Sequence, residues 1–193
     1  MPLIVLDRDG VINEDSADYI RSLADWRPVP GSIAAIAALS RAGYTVAIAT
    51  NQSGLGRGYF SLDDLAAIHA RLCQLVAEQG GRIAGIFYCP HLPGEGCLCR
   101  KPATGLLAAM EAELGLSARG AIFIGDSLGD LQAARAYGCR PVLVRTGKGE
   151  ATLRALQSGE ATLADWAAIP VHDNLAAASR EILRQQSAPK DDR

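Results

Sequence analysis

Acidic, basic and hydroxyl side chains recur in four short stretches of this sequence, each placed directly after, or soon after, an apolar run. The first is Asp7-Arg8-Asp9-Gly10. Alternate side chains of an extended segment point the same way, so Asp7 and Asp9 can act together. Two carboxylates held close repel one another, which suits them to a divalent cation or to shared acid/base work. A solvated strand end or a helix cap would use the same residues. Gly10 allows a sharp turn that brings backbone amides toward an anion. The second stretch, Thr50-Asn51-Gln52-Ser53-Gly54, offers neutral donors for phosphate oxygens, or an ordinary strand-end cap. In the third, the Lys101 ammonium can balance phosphate charge and the Arg100 fork can grip a second anion, although such pairs are also common on solvated surfaces. The fourth, Gly125-Asp126-Ser127-Leu128-Gly129-Asp130, sets two more acids at a strand-to-helix turn, where capping is the plain alternative.

Cys89-x-His91 and Cys97-x-Cys99 supply three thiolates and an imidazole around the turn-rich Leu92-Pro93-Gly94-Glu95-Gly96. That donor set suits tetrahedral Zn²⁺, and a closed set of four leaves no position for water, so the expected zinc is structural. Free thiols or redox chemistry are the alternatives. The loop ends at Cys99, immediately before Arg100 and Lys101, so the metal would fix the backbone carrying both cations. Cys73, within a helical stretch, and Cys139, after one, read as small core residues.

The elements that must position these groups alternate along the chain. Strand-like runs without polar alternation cover 3–6, 44–49, 83–88, 121–124 and 141–144. Helical stretches cover 31–41, 61 to about 80, 103–114 and 130–137, with Ser61 as an N-cap and Gly115 and Gly138 as stops. Such alternation predicts a Rossmann-like α/β fold, a doubly wound parallel sheet covered on both faces. Ligands bind such sheets at the carboxyl ends of the strands, where all four stretches fall. After Gly147 helices are expected at 149–157 and 175–186, with no clear element over 163–170. One domain is expected to run to residue 186, with the zinc loop at 89–99 and a flexible polar tail at 187–193.

The chain has 193 residues, with 19 Lys+Arg against 21 Asp+Glu, a formal charge of −2 that argues against nucleic-acid or anionic-membrane partners. With 49% apolar and 21% charged residues, wholesale disorder is excluded. No run approaches the ~20 apolar residues of a membrane helix. Leu3–Leu6 gives way at once to Asp7 and Arg8, with no basic segment before it, so no secretory signal and a cytoplasmic location are expected. Five cysteines, an odd number, make a poor disulfide framework.

In their order along the chain, Asp7-x-Asp9, Thr50, Lys101 and Asp126-x-x-x-Asp130 resemble the haloacid dehalogenase-like phosphatase superfamily over Leu3 to about Val144. The resemblance implies Asp7 as the nucleophile that becomes an aspartyl-phosphate. It implies Asp9 as general acid and then base, with Thr50 and Lys101 stabilising the phosphoryl group. Mg²⁺ would be held by Asp7, the backbone carbonyl of Asp9 and Asp126, with Asp130 behind them. No histidine is needed. The spacing from Asp9 to Thr50 to Lys101 leaves little room for a cap domain. Substrate selection then falls to the zinc loop, to 13–19 and to 55–60. Asp15, Asp18, Asn51, Gln52, Ser53, Arg100 and Ser127 are the expected substrate-binding residues.

The narrower pattern of DRDGVIN, TNQSG, the Cys/His loop running into Arg-Lys-Pro, and IGDSLGD is similar to the capless, zinc-loop members of that superfamily. These act on sugar bisphosphates or on histidinol phosphate. Only five residues separate His91 from Cys97, a shorter loop than in many members. The implied activity is Mg²⁺-dependent hydrolysis of a small sugar bisphosphate by a monomer, with histidinol phosphate as the rival substrate. A non-catalytic zinc-stapled binding module is the rival of another class. It has no use for both Asp7 and Asp9.

Overall fold

Successive side chains of β1 (Leu3–Leu6) enter opposite cores, which is why this strand has no polar position. Ile4 and Leu6 face one layer, Leu3 and Val5 the other. The computed structural model describes residues 2–187; of the expected tail at 187–193, Ser187 ends the last helix and the rest lies outside the described residues. The remaining strands are β2 (Thr45–Asn51), β3 (Gly85–Cys89), β4 (Ile122–Gly125), β5 (Arg140–Val144) and β6 (Val171–His172). All neighbours pair in parallel, in the order β3-β2-β1-β4-β5-β6. The expected doubly wound sheet is present. It carries one strand more than the apolar runs announce, because two residues at an edge are too few to show a period.

The helices are α1 (Ser32–Arg41), α2 (Ser53–Gly56), α3 (Leu62–Glu78), α4 (Gly105–Leu114), α5 (Leu128–Tyr137), α6 (Gly149–Ser158) and α7 (Leu175–Ser187). A layer built from α1, α3 and α7 packs on Ile4, Leu6, Val46, Ile48, Ile124 and Val144. On the opposite face α4 and α5 pack on Leu3, Val5, Ala47, Ala49 and Phe123. α6 and a single 3₁₀ turn at Trp166–Ala168 close a smaller cluster around Leu153, Leu156 and Ile169. Ser61 caps α3 in a reciprocal box with Asp64, as its position before two acids predicts.

Several expected boundaries move, and they move the site residues with them. Thr50 and Asn51 are the last residues of β2, and Cys89 the last of β3, rather than the start of loops. α5 begins at Leu128, so Asp130 lies inside its first turn. Cys139 is buried as expected, but Cys73 is exposed: the buried stripe of α3 runs Leu65, Ile68, Leu72, Val76, and position 73 falls beside it. Among the described residues no helix is long and apolar enough to cross a membrane.

Candidate active site

The carboxyl ends of β1, β2 and β4 and the turn before α4 meet at a cleft of about 590 Å³. Asp7 follows β1, and its N–H continues the ladder by donating to Ile124 O at 2.9 Å. Its carboxylate lies 2.8 Å from Lys101 Nζ, which also lies 2.5 Å from Asp130 Oδ1 and donates to Ala49 O at 2.7 Å. Asn51 fixes Lys101 from the neighbouring strand. Its Oδ1 accepts from Lys101 N at 3.0 Å and its Nδ2 donates to Lys101 O at 3.1 Å. Burial works against the ammonium, but Asp130 and Asp7 on either side hold Lys101 well above the ordinary lysine range.

Asp126 reaches the same point from the end of β4. Its Oδ2 accepts from Lys148 N at 2.7 Å, and its backbone carbonyl accepts from Thr152 Oγ1 at 2.8 Å. Two glycines make this approach possible. A Cβ on Gly10 would stand 2.1 Å from Asp126 Oδ2, and one on Gly147 2.2 Å; both residues have positive φ.

Carboxylate oxygens of Asp7, Asp126 and Asp130 all lie within 4.8 Å of one another, and all three residues are buried. Burial pushes Asp7 up to about 7, against Lys101, with Asp130 and Asp9 adding to the rise. Burial, then the charges of Asp7 and Asp130, push Asp126 up to about 8. Three acids against one ammonium make a site whose charge and oxygen donors fit a divalent cation such as Mg²⁺. Asp130 belongs to this cluster, and its Oδ2 also closes the capping box of α5 with Ser127.

The carboxylate of Asp9 belongs to a different set. It accepts from Arg8 through Nε and Nη2, from Asn13 Nδ2 at 2.9 Å and from Gln52 Nε2 at 2.7 Å. Burial opposes its charge, yet Arg8, Asn13 and Gln52 together hold its carboxyl below the usual carboxylate range. Gln52 also donates to Thr50 Oγ1 at 2.9 Å and accepts from Arg8 at 3.0 Å. One amide therefore joins the phosphoryl-stabilising and acid/base candidates.

The expected substrate-binding residues divide. Asp15, Ser53 and Arg100 line the cleft, Asp15 and Arg100 with side chains not fully committed elsewhere. Asn51, Gln52 and Ser127 line it too, but spend their hydrogen bonds on Lys101, on Asp9 with Thr50 and Arg8, and on Asp130. Asp18 lies apart from them: it is exposed and borders a neighbouring groove with Arg21 and Arg27, one residue before Tyr19, whose φ is 66°. Tyr19 stacks edge-on against Tyr59 at 5.2 Å, joining the 13–19 and 55–60 segments at the mouth.

Four participants escaped the sequence. Arg8 is buried and reads, between two acids, as a solvated charge. Asn13 and His69 carry no local signal; His69 Nε2 lies 3.4 Å from Arg8. Lys148 follows β5 in Gly-Lys-Gly, and the rule that ligands gather at strand ends applied there would have found it.

Cys89, His91, Cys97 and Cys99 come together beside the cleft. Five of their six ligand-to-ligand separations run from 3.1 to 3.7 Å. These are too long for a disulfide and close to the edges of a tetrahedron around Zn²⁺. Without a cation, burial and the neighbouring thiols push Cys89 up to about 12. Against a burial cost, the N–H of Arg100 and the other thiols bring Cys97 down to about 7. The four residues fit a zinc ion. The loop then delivers Pro93 and Arg100 to the cleft, and Arg100 Nη1 donates back to His91 O at 3.3 Å.

Acids, lysine and hydroxyl at the rim of a parallel sheet are shared by a known group of enzymes. The chain belongs to the haloacid dehalogenase-like hydrolases: a family model described as HAD-hydrolase-like matches residues 98–178, and the relatives below match nearly the whole chain. Within that group it is similar to D-glycero-beta-D-manno-heptose-1,7-bisphosphate 7-phosphatase of Pseudomonas putida, 55% identical over 95% of this chain and 100% of the relative. The same enzyme of Neisseria meningitidis serogroup A is 45% identical over the whole of both chains. The crystal structure of D,D-heptose 1,7-bisphosphate phosphatase from B. bronchiseptica, complexed with magnesium and phosphate, superposes with a TM-score of 0.88. It is 43% identical and covers 96% of this chain and 99% of its own.

Proposed function

We propose that this protein is a Mg²⁺-dependent phosphatase that removes the 7-phosphate of D-glycero-D-manno-heptose 1,7-bisphosphate. It would act as a cytoplasmic monomer in the series that supplies nucleotide-activated heptose for the lipopolysaccharide core. The observation that carries the reading is the meeting of Asp7, Lys101, Asp126 and Asp130 at one point of the sheet edge. It is supported by extensive likeness to enzymes named for that reaction.

In this reading the Asp7 carboxylate attacks phosphorus, and the ester oxygen leaves with a proton from Asp9. Water, giving its proton to Asp9, then attacks the phosphorus of the aspartyl-phosphate and frees inorganic phosphate and Asp7. Lys101 is already fixed by Ala49, Asn51 and two carboxylates, so it offsets phosphoryl charge without reorganising. Thr50 adds a hydroxyl oriented by Gln52. Mg²⁺ held by Asp7, Asp126 and the backbone of Asp9, with Asp130 behind, would neutralise the charge that otherwise keeps a phosphate dianion from a carboxylate. Zinc held by Cys89, His91, Cys97 and Cys99 would stabilise the loop that presents Arg100 to the second phosphate.

The test is a phosphate-release panel on purified protein, with and without Mg²⁺, covering both anomers of the heptose bisphosphate and histidinol phosphate. Mg²⁺-dependent release from the bisphosphate, lost in Asp7→Asn, is expected. A clear preference for histidinol phosphate would overturn the assignment.

A further inference from the structure

The end of β5 also reaches the cleft, through Lys148, and the two ends of this residue do different things. Its backbone N–H donates to Asp126 Oδ2 at 2.7 Å. Its Nζ lies 3.3 Å from Asp15 Oδ2, at the rim. Asp15 sits in the irregular connection between β1 and α1, one residue beyond the hydrogen bond that Glu14 N donates to Arg27 O at 2.9 Å. Among the described residues Lys148 is the only partner of the Asp15 side chain, and its Oδ1 has none. Both residues line the cleft, and the Lys148 ammonium is what ties this loop carboxylate to the strand-end side of it.

We propose that Lys148 is a positioning residue that sets substrate specificity: it pins Asp15 at the cleft so that the free carboxylate oxygen accepts hydroxyls of a polyhydroxylated substrate. Because the pin starts from the backbone that holds Asp126, the sugar-facing loop is registered against the metal-binding carboxylates. The inference rests on the phosphatase reading above and adds to it which residue orients the sugar.

The experiment compares the full-length wild type with Lys148→Met, Lys148→Arg, Asp15→Asn and the Met/Asn double variant. Each is assayed with Mg²⁺ on the heptose bisphosphate and on p-nitrophenyl phosphate, which has no hydroxyls to read. Lys148→Met is expected to raise KM for the sugar about fivefold, the scale of a partly exposed ion pair, and to change kcat much less. Its kcat/KM ratio of sugar to nitrophenyl ester falls by a similar factor. Asp15→Asn should do the same, the double variant should be no worse than either single one, and arginine should restore most of the loss. Losses that multiply in the double variant, equal loss on both substrates, or an unchanged KM would overturn the inference. Wild type inactive on the bisphosphate would instead overturn the functional reading. Asp15→Asn, in an irregular loop, keeps the cycle readable should Lys148→Met not fold, with Lys148→Arg as its partner.

Discussion

Arg8 is folded back onto the carboxylate of its own neighbour, Asp9. Nε and Nη2 reach Oδ1 at 3.0 and 2.9 Å, and Nη2 reaches Oδ2 at 3.0 Å, with the guanidinium only 1% exposed. The pair turns one carboxylate toward the cleft and favours its ionised form, the form that takes the proton of the attacking water in the second step. Arg8→Met leaves the partly exposed Asp9 carboxylate with Asn13 and Gln52 as its donors, so it should cost about 2 kcal/mol in urea unfolding. It should also slow phosphate release at least about tenfold, since Asp9 loses three of its five hydrogen bonds. Arg8→Lys keeps the charge but not the fork and should fall between.

Asp7→Asn should abolish turnover by at least about a thousandfold while leaving the fold intact. Burial raises Asp7 well above its unfolded value, so its charge opposes folding at neutral pH. The metal-free variant is therefore expected to melt no lower than wild type, and to gain less from added Mg²⁺. Differential scanning calorimetry across a Mg²⁺ titration reads both effects.

Gly10→Ala tests the close approach of Asp126. The new methyl would overlap Asp126 Oδ2 at a residue with φ of 82°. The backbone strain alone costs about 1–2 kcal/mol. The displaced carboxylate should in addition raise the Mg²⁺ concentration needed for half-maximal activity about tenfold or more. A variant that loses stability but keeps its Mg²⁺ requirement would show that the glycine serves the turn alone.

His69 gives a pH signature. Burial, then the charge of Arg8, depresses it from 6.5 to about 4. Between those values the unfolded chain binds a proton that the folded one refuses, so stability is lost as pH falls from 6.5 toward 4. The shift corresponds to at most about 3 kcal/mol. Melting curves at stepped pH should show a shallower decline for His69→Gln than for wild type.

Removing zinc with a chelator, or substituting Cys99→Ser, should lower the melting temperature and weaken the hold on the bisphosphate. Arg100 hangs on the loop through His91 O, whereas Lys101 is independently stapled by Asn51. KM is thus expected to rise more than kcat falls. Equal loss in both would mean that Lys101 moves with the loop.

How much of this could be read from residue order depends on how local each cause is. Alternating apolar runs fixed five strands because burial on both faces excludes polar residues there. β6 escaped, having two residues and no period. The clustered acids and Lys101 stood out because each lies in a stretch that comes after a strand-like apolar run. Their division of labour did not: that Gln52 joins Asp9 to Thr50, or that Asn51 clamps Lys101, depends on neighbours across the sheet, at separations of 43 and 50 residues. That Asp18 borders a neighbouring groove was not legible either, since the left-handed backbone at Tyr19 beside it is one that a tyrosine does not advertise.

Three unrelated fastenings surround the cleft: a Cys/His knot behind Arg100, an aromatic pair between Tyr19 and Tyr59, and an ion pair between Lys148 and Asp15. None shares a residue with another, and none is the buried lysine with its flanking acids. Evolution, or an engineer, could therefore exchange one wall at a time and retarget the enzyme to a new phosphate ester while its reactive centre stays untouched.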